Sequence, residues 1–414
     1  MKYICLYFQV HQPFRLRPFS FAEIGGGGSY FNEEMNDTIL QQIAQQCYLP
    51  ANKLLLDLIE RYGGRFHVSF SISGTALDQF ERYAPEVIDS FRKLADTGCV
   101  EFLGETYGHS LAALGSEIEF MAQIKAHADK IAQLFGQRPV TFRNTELIYT
   151  DAIGDMVHRM GFTTMLTEGA AHVLHWKSPN YIYRAASSPE LKLLLKNYRL
   201  SDDIAFRFAD RNWEHWPLAA GKFAGWLHAM PSQETIVNLF MDYETFGEHH
   251  TKETGIFQFL EAFPGEVFSK PGYRFVTPHE ATTFLPPIAA LSMPQPVSWA
   301  DEARDLSAWL GNDLQQDAFS VLYSLEQKMQ SCRNEQLRRS WLYLQTSDHF
   351  YYMCTKSLSD GAVHSYFSPY DTPFDAFMNY MNVLTDFSLQ LDKYLVKKKK
   401  LMDEGYSSKT RLCF

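Results

Sequence analysis

Over residues 1–285, short apolar runs alternate with longer stretches in which apolar residues recur at spacings of three and four. The runs occupy positions 3–8, 66–72, 100–104, 140–142, 162–166, 191–195, 236–241 and 273–276, each about the length of a strand. Helical spacing fills the stretches between many of them, for example 39–59, 76–95 and 117–135. Near-continuous apolar strands separated by helices predict a parallel sheet covered on its outer side. Seven or eight such units point to a closed barrel, although periodicity alone leaves an open doubly wound sheet as an alternative.

The pattern changes at Leu285-Pro286-Pro287 and again at Met293-Pro294-Gln295-Pro296. Prolines at this density break regular structure, so an inter-domain connection is expected over 286–297. Beyond it the spacing is helical at 302–310, 317–330, 336–344 and 374–395. The expected organisation is therefore a barrel domain over 1–285 and a helical domain over 298–414. The four glycines 25–28 lack the Gly-Lys-Ser/Thr ending of a phosphate loop and read as a flexible loop over the first strand's end, gating substrate. The four lysines 397–400 read as a solvated helix end, and the last ~15 residues as frayed.

Composition narrows the function classes. The chain carries 38 basic and 48 acidic residues and a net charge of −10, which argues against a general nucleic-acid binder. No run approaches the ~18 apolar residues of a spanning helix, and the N-terminus lacks a signal-peptide pattern. The six cysteines are scattered, with no Cys-x-x-Cys pair, so neither a disulfide framework nor a cysteine zinc site is expected; these absences read as a reduced cytoplasm. Aromatic residues stand out: Phe 32, Tyr 22 and Trp 7 make 15% of the chain, more than a core needs, and flat rings also serve as binding surfaces.

In a barrel of parallel strands the active site lies at the C-terminal strand ends. There the first run is followed by His11-Gln12-Pro13, the third by Glu105, Tyr107 and His109, and the fourth by Arg143-Asn144-Thr145-Glu146. The fifth ends at Thr167-Glu168, and the 236–241 run at Asp242-Tyr243-Glu244-Thr245-Phe246-Gly247-Glu248-His249-His250. Two readings compete. Carboxylates flanking one site, with aromatic rings for sugars to stack on, suggest glycoside cleavage. Alternatively His11, His109 and Asp242 form a metal site for assisted hydrolysis, as in a polysaccharide deacetylase. The spacing does not settle this.

Several of these segments, in order, resemble glycoside hydrolase family 57, and within it the α-amylase group. They are His11-Gln12-Pro13, the stretch from Phe142 to Tyr149 around Glu146, and Asp242-Tyr243-Glu244-Thr245-Phe246-Gly247. Ser298-Trp299-Ala300-Asp301, the stretch from Asp305 to Asn312, and Leu344-Gln345-Thr346-Ser347-Asp348-His349-Phe350-Tyr351-Tyr352 are similar to its helical region. The resemblance implies a (β/α)7 barrel followed by a C-terminal helical region, and retaining chemistry on α-glucans without metal or cofactor. It places the nucleophile on Glu146 and the acid/base on Asp242. His11 then lines the subsite next to the cleaved bond, with Asp348 and Tyr351 contributed by the helical region.

Tyr107, Tyr149, Tyr243, Phe246, Trp299 and Tyr351 read as a sugar-stacking surface, and His109 as a further substrate contact. Arg143 is expected either to hold the nucleophile charged or to cap the barrel. The expected activity is hydrolysis of α-1,4-glucosidic bonds in starch, glycogen or maltooligosaccharides. The alternatives are a 4-α-glucanotransferase and a glucan-binding homologue with little turnover.

Overall fold

The computed structural model describes residues 1–356 and 368–410, with the backbone alone for 402–410. The chain divides into two compact units. The first comprises Met1–Gln12, Glu34–His109 and Met121–Leu306; the second comprises Pro13–Glu33, Ser110–Phe120 and Ser307–Phe414.

The first unit is a parallel (β/α)7 barrel. Its strands are β1 (Lys2–Val10), β2 (Val68–Ile72), β3 (Val100–Phe102), β4 (Thr141–Arg143), β5 (Thr164–Glu168), β6 (Ile182–Ala185), β7 (Lys192–Lys196), β8 (Ile236–Asp242), β9 (Tyr273–Phe275) and β10 (Ala290–Leu291). One ladder runs β3-β2-β1-β8 and a second runs β7-β5-β4, every pair parallel. The gaps between the ladders are bridged at two points. Gly104 pairs with Phe142 between β3 and β4. Between β7 and β8, Asn197 donates its N–H to Asn238 O at 2.9 Å, and Asn238 Nδ2 donates to Leu195 O at 2.9 Å. Seven strands thus close into a ring, and the open sheet allowed by periodicity is excluded. The eighth apolar run forms β9, which pairs with the start of β1.

Strand alternation sorts the side chains. Ile4, Leu6, Phe8 and Val10 of β1 pack outward among helix residues such as Leu55, Phe80 and Phe91. Cys5 and Tyr7 face inward with Leu103, Leu166, Leu194, Ile236 and Phe240. The interior becomes polar toward the C-terminal strand ends: the Tyr7 hydroxyl donates to Gln9 Oε1 at 2.6 Å, and Gln9 Nε2 donates to Glu105 Oε1 at 3.2 Å.

The expected helices form, with breaks of local origin. The 76–95 stretch splits into Gly74–Tyr83 and Pro85–Asp96, because a proline disfavours helical geometry in the residue before it. The 302–310 stretch is helical only over Ser307–Leu310. Before that, Asp301 and Arg304 adopt left-handed φ angles of 57° and 51°, which no α-helix accommodates. The proline-rich connection is not free chain. Within it β10 pairs with β6, and Val297 and Tyr149 exchange backbone hydrogen bonds at 3.0 Å, so the first unit continues through Leu306 rather than ending at 285.

The second unit is helical, with its longest helix at Pro373–Thr410. The four lysines 397–400 lie within that helix, and of the C-terminal stretch expected to fray, residues 411–414 lie outside the described residues. The glycine run, expected to be flexible, is held by hydrogen bonds within the second unit. Gly25 and Gly27 donate their N–H groups to Asp386 Oδ1 at 2.6 and 3.3 Å, and Lys393 Nζ donates to Gly25 O at 2.7 Å. The long helix therefore pins it. Among the described residues, no helix is long and apolar enough to cross a membrane.

One close approach shapes the rim of the barrel. A Cβ at Gly74 would lie 2.2 Å from Cδ1 of Tyr107, whose hydroxyl donates to Asp78 Oδ1 at 2.6 Å. Gly74→Ala is expected to destabilise the protein by about 1–3 kcal/mol through overpacking. In a Tyr107→Ala background the same change should cost clearly less. Denaturant melts of the four proteins measure the coupling; equal costs in both backgrounds would refute the contact.

Candidate active site

Four strand ends of the first unit bring their polar residues together. β8 ends on Asp242 and β1 leads into His11, while Glu105 and His109 come after β3. Glu146 lies beyond β4 in the short turn Thr145–Leu147, where Glu146 and Leu147 both take left-handed φ angles, 57° and 52°. Non-glycine residues held in that region cost energy and persist only where the surroundings fix them.

The two carboxylate oxygens of Glu146 face different donors. Trp299 Nε1 donates to Oε2 at 2.7 Å, and His109 Nε2 lies 3.3 Å from Oε1. The backbone N–H of Trp299 also donates to the Glu146 carbonyl at 3.1 Å. On its other side, His109 Nδ1 lies 3.0 Å from Oε2 of the fully buried Glu105. The His109 ring stacks on His11, with centroids 3.9 Å apart and planes 18° from parallel. His11 Nδ1 is 2.7 Å from Ser73 Oγ.

Cations surround the indole of Trp299. The Arg143 guanidinium lies over it at 4.7 Å and the Lys196 ammonium at 5.2 Å, within the range of cation–π attraction. Arg143 is fully buried, and none of its three guanidinium nitrogens has a hydrogen-bond partner among the described residues. It acts on the site through its charge.

These environments separate the titrating groups. Burial and the charge of Glu146 raise the Asp242 carboxyl to about 6, against the pull of Arg143, Lys196 and His109. Burial works against charge on His109, but its bonds to Glu105 and Glu146 more than compensate and raise it to about 9. Glu105 shows the converse balance: burial opposes its charge, and the His109 bond and nearby cations hold it below the ordinary carboxyl range. Burial and Asp242 push Glu244 up to about 8, and its carboxyl accepts the Tyr48 hydroxyl.

Placed against the sequence expectations, Glu146, Asp242, His11, His109 and Trp299 all lie at one end of the barrel, with Tyr107 at its rim. Their roles divide differently. Both ring nitrogens of His109 face carboxylates, which places it between acids. The stacked imidazoles also disfavour the metal site built from His11, His109 and Asp242, because one of them is engaged by carboxylates on both sides. Among the described residues no group of three or more His, Cys, Asp or Glu is arranged to hold a metal ion.

The stacking surface needs correction. Tyr149, Tyr243 and Phe246 are at most 2% exposed. Tyr243 packs on Phe8 and Phe70 and donates its hydroxyl to Asn52 Oδ1 at 2.7 Å. Tyr243 and Phe246 belong to the barrel–helix core. Asp348 and Tyr351 lie on the helix Ser347–Tyr351 of the second unit, where the Tyr351 ring sits 6.2 Å from that of the buried Trp309.

Two residues at the site escaped the sequence reading. Lys196 ends β7, and the position immediately after the 191–195 run, treated like the ends of the other strands, would have revealed it. Arg304 lies in the 302–310 stretch whose spacing reads as helical, and nothing in that spacing signals a role.

Comparison with known proteins agrees with this geometry. A family model described as glycosyl hydrolase family 57 matches residues 5–294, a span that runs from within β1 through β10 and includes Glu146 and Asp242. A protein of Methanocaldococcus jannaschii named "Putative alpha-amylase" is 40% identical over 408 residues, covering 95% of this chain and 85% of that protein. Among solved structures, a family 57 branching enzyme from Thermococcus kodakaraensis is similar with a TM-score of 0.68 at 14% identity, over 97% of this chain and 94% of that one. A 4-alpha-glucanotransferase from Thermococcus litoralis gives a TM-score of 0.62 at 15% identity over 84% of this chain, which spans 56% of that protein's length. At such identities these two likenesses speak for the fold. The closed seven-stranded barrel, the carboxyl groups at its C-terminal end and a match over most of the chain converge: the protein belongs to glycosyl hydrolase family 57.

Proposed function

We propose that the protein is a retaining α-glucan hydrolase of the α-amylase type, which cleaves α-1,4-glucosidic bonds of starch, glycogen or maltooligosaccharides by double displacement. The observation that carries this reading is the opposite treatment of two neighbouring carboxyl groups. Glu146 is held between an indole N–H and an imidazole whose proton is retained to about pH 9, which favours a charged nucleophile. Asp242 is raised to about 6 by burial and by Glu146, which favours a protonated acid. Such a split assigns acid and nucleophile in glycosidases.

In the first step Glu146 attacks the anomeric carbon as Asp242 gives its proton to the leaving oxygen. A covalent glycosyl-enzyme forms and the C–O bond to the leaving sugar breaks. The Glu146 charge is consumed in that bond, so the repulsion that kept Asp242 protonated disappears. Asp242 then accepts a proton from water, whose oxygen attacks the anomeric carbon and frees Glu146. Configuration is retained after two inversions. A sugar hydroxyl in place of water would yield transfer, and the protein's similarity to the M. jannaschii relative at 40% identity supports the hydrolytic reading.

Glu146→Ala and Asp242→Ala should each lose nearly all release of reducing ends from soluble starch while remaining folded. An activated aryl glucoside, which needs little acid assistance, should partly restore the first step in Asp242→Ala but not in Glu146→Ala. Wild-type turnover in either variant would sink the assignment. With maltoheptaose the expected products are shorter than the substrate; products longer than seven units would instead identify a transferase.

The pH profile is set by the acid. Asp242 must carry its proton, so kcat/KM should fall on the alkaline side from about pH 6, where that carboxyl ionises, approaching tenfold per pH unit. A profile flat from pH 5 to 8 would contradict it. Glu105→Gln removes one of the two carboxylates that keep His109 protonated, so the imidazole's titration midpoint, monitored by NMR, should drop from about 9. An unmoved midpoint would show that Glu105 does not set it.

A further inference from the structure

We propose that Arg304 is a positioning residue for the Glu146 carboxylate, acting through Trp299. The inference rests on the reading of Glu146 as nucleophile and extends it to a residue that does not touch the reacting atoms.

Glu146 sits in a left-handed turn that its own strand does not impose. Trp299 grips it twice, from the backbone N–H to the Glu146 carbonyl and from the indole N–H to Oε2. Yet Trp299 itself belongs to a loop without helix or strand. Something must hold the loop still, because a hydrogen bond orients a carboxylate only as well as its donor is oriented.

Arg304 supplies that hold. Its Nη1 donates to the Trp299 carbonyl and lies 3.4 Å from Oε2 of Glu168, the last residue of β5. Its Nη2 donates to Asp202 Oδ2 at 3.2 Å, on the helix Tyr198–Ala205. The guanidinium lies over the Tyr198 ring at 4.8 Å. Asp202 in turn accepts Lys196 Nζ at 3.0 Å, and Lys196 lies over the Trp299 indole at 5.2 Å. The loop is also closed on itself: Ser298 N–H donates to Arg304 O at 3.1 Å, and Ser298 Oγ to Asp305 O at 2.6 Å.

One planar fork thus ties the carbonyl of Trp299 to two separate barrel elements. Its three acceptors lie in different directions, a demand that suits guanidinium and that a single ammonium meets less well. The chain of contacts runs from Glu168 and Asp202 through Arg304 to Trp299 and ends on the nucleophile. Small misplacements of a reacting group cost rate more than binding, so the loss should appear in kcat.

The test is a double-mutant cycle on soluble starch with Arg304→Ala and Trp299→Phe, the second keeping the ring and deleting the N–H. Each single variant should lower kcat on the order of 10- to 100-fold with KM nearly unchanged, and Arg304→Lys should fall between Arg304→Ala and wild type. The double variant should be little worse than Trp299→Phe alone, because the indole bond through which Arg304 orients the carboxylate is already gone. Multiplicative losses, or wild-type kcat in Arg304→Ala, would overturn the proposal. Should Arg304→Ala fail to fold, Arg304→Lys replaces it in the cycle with the same two outcomes. Glu146→Ala, run in parallel, separates the two levels. If it retains turnover, the nucleophile assignment fails; if it is inactive while Arg304→Ala is wild-type-like, the positioning role alone fails.

Discussion

Charge buried at the C-terminal end of the barrel has to be balanced within it. Glu105, Glu168 and Arg143 are fully buried, and His109 is 3% exposed. A lone charge in such a place is costly unless opposite charge or hydrogen bonds answer it. The protein solves this with alternation rather than neutral packing. His109 stands between Glu105 and Glu146, and Arg304 between Glu168 and Asp202. Arg143, lacking hydrogen bonds among the described residues, still favours the charged forms of Glu105 and Asp242. The properties of the Glu146 and Asp242 carboxyls are therefore collective, and no single neighbour sets them.

The barrel was legible in the sequence because most residues of its strands are buried and the strands read as short, mainly apolar runs. Glu146 and Asp242 were legible for a related reason: polar residues that abruptly end such runs have few places to go other than the strand ends. Direction was not legible. Tyr243 and Phe246 come after the same strand as Asp242, yet their rings turn into the core, because a turn after the strand breaks the alternation that would have indicated their side. Nor could spacing show that His109 is used on both edges by carboxylates, one of them 37 residues away. The 302–310 stretch misread as helix marks the same limit. Its helical spacing is real, but Arg304 serves long-range bonds that demand a different backbone.

The likeness in fold to a branching enzyme and a glucanotransferase, at 14% and 15% identity, separates scaffold from reaction. A barrel of this kind fixes where strand ends lie and little else.

The pinning of the glycine run by Asp386 has a consequence for biosynthesis. The hydrogen bonds from Gly25 and Tyr30 join residues 361 and 356 positions apart, and Phe14 stacks on Tyr343 at 4.0 Å. At elongation rates of ~5–20 residues per second, the early segment waits on the order of half a minute before its partners leave the ribosome. Throughout that interval Phe14 and Tyr30, both buried in the finished protein, lack the late-made partners Tyr343 and Phe387 that cover them. The second unit is completed only by segments made long after its first.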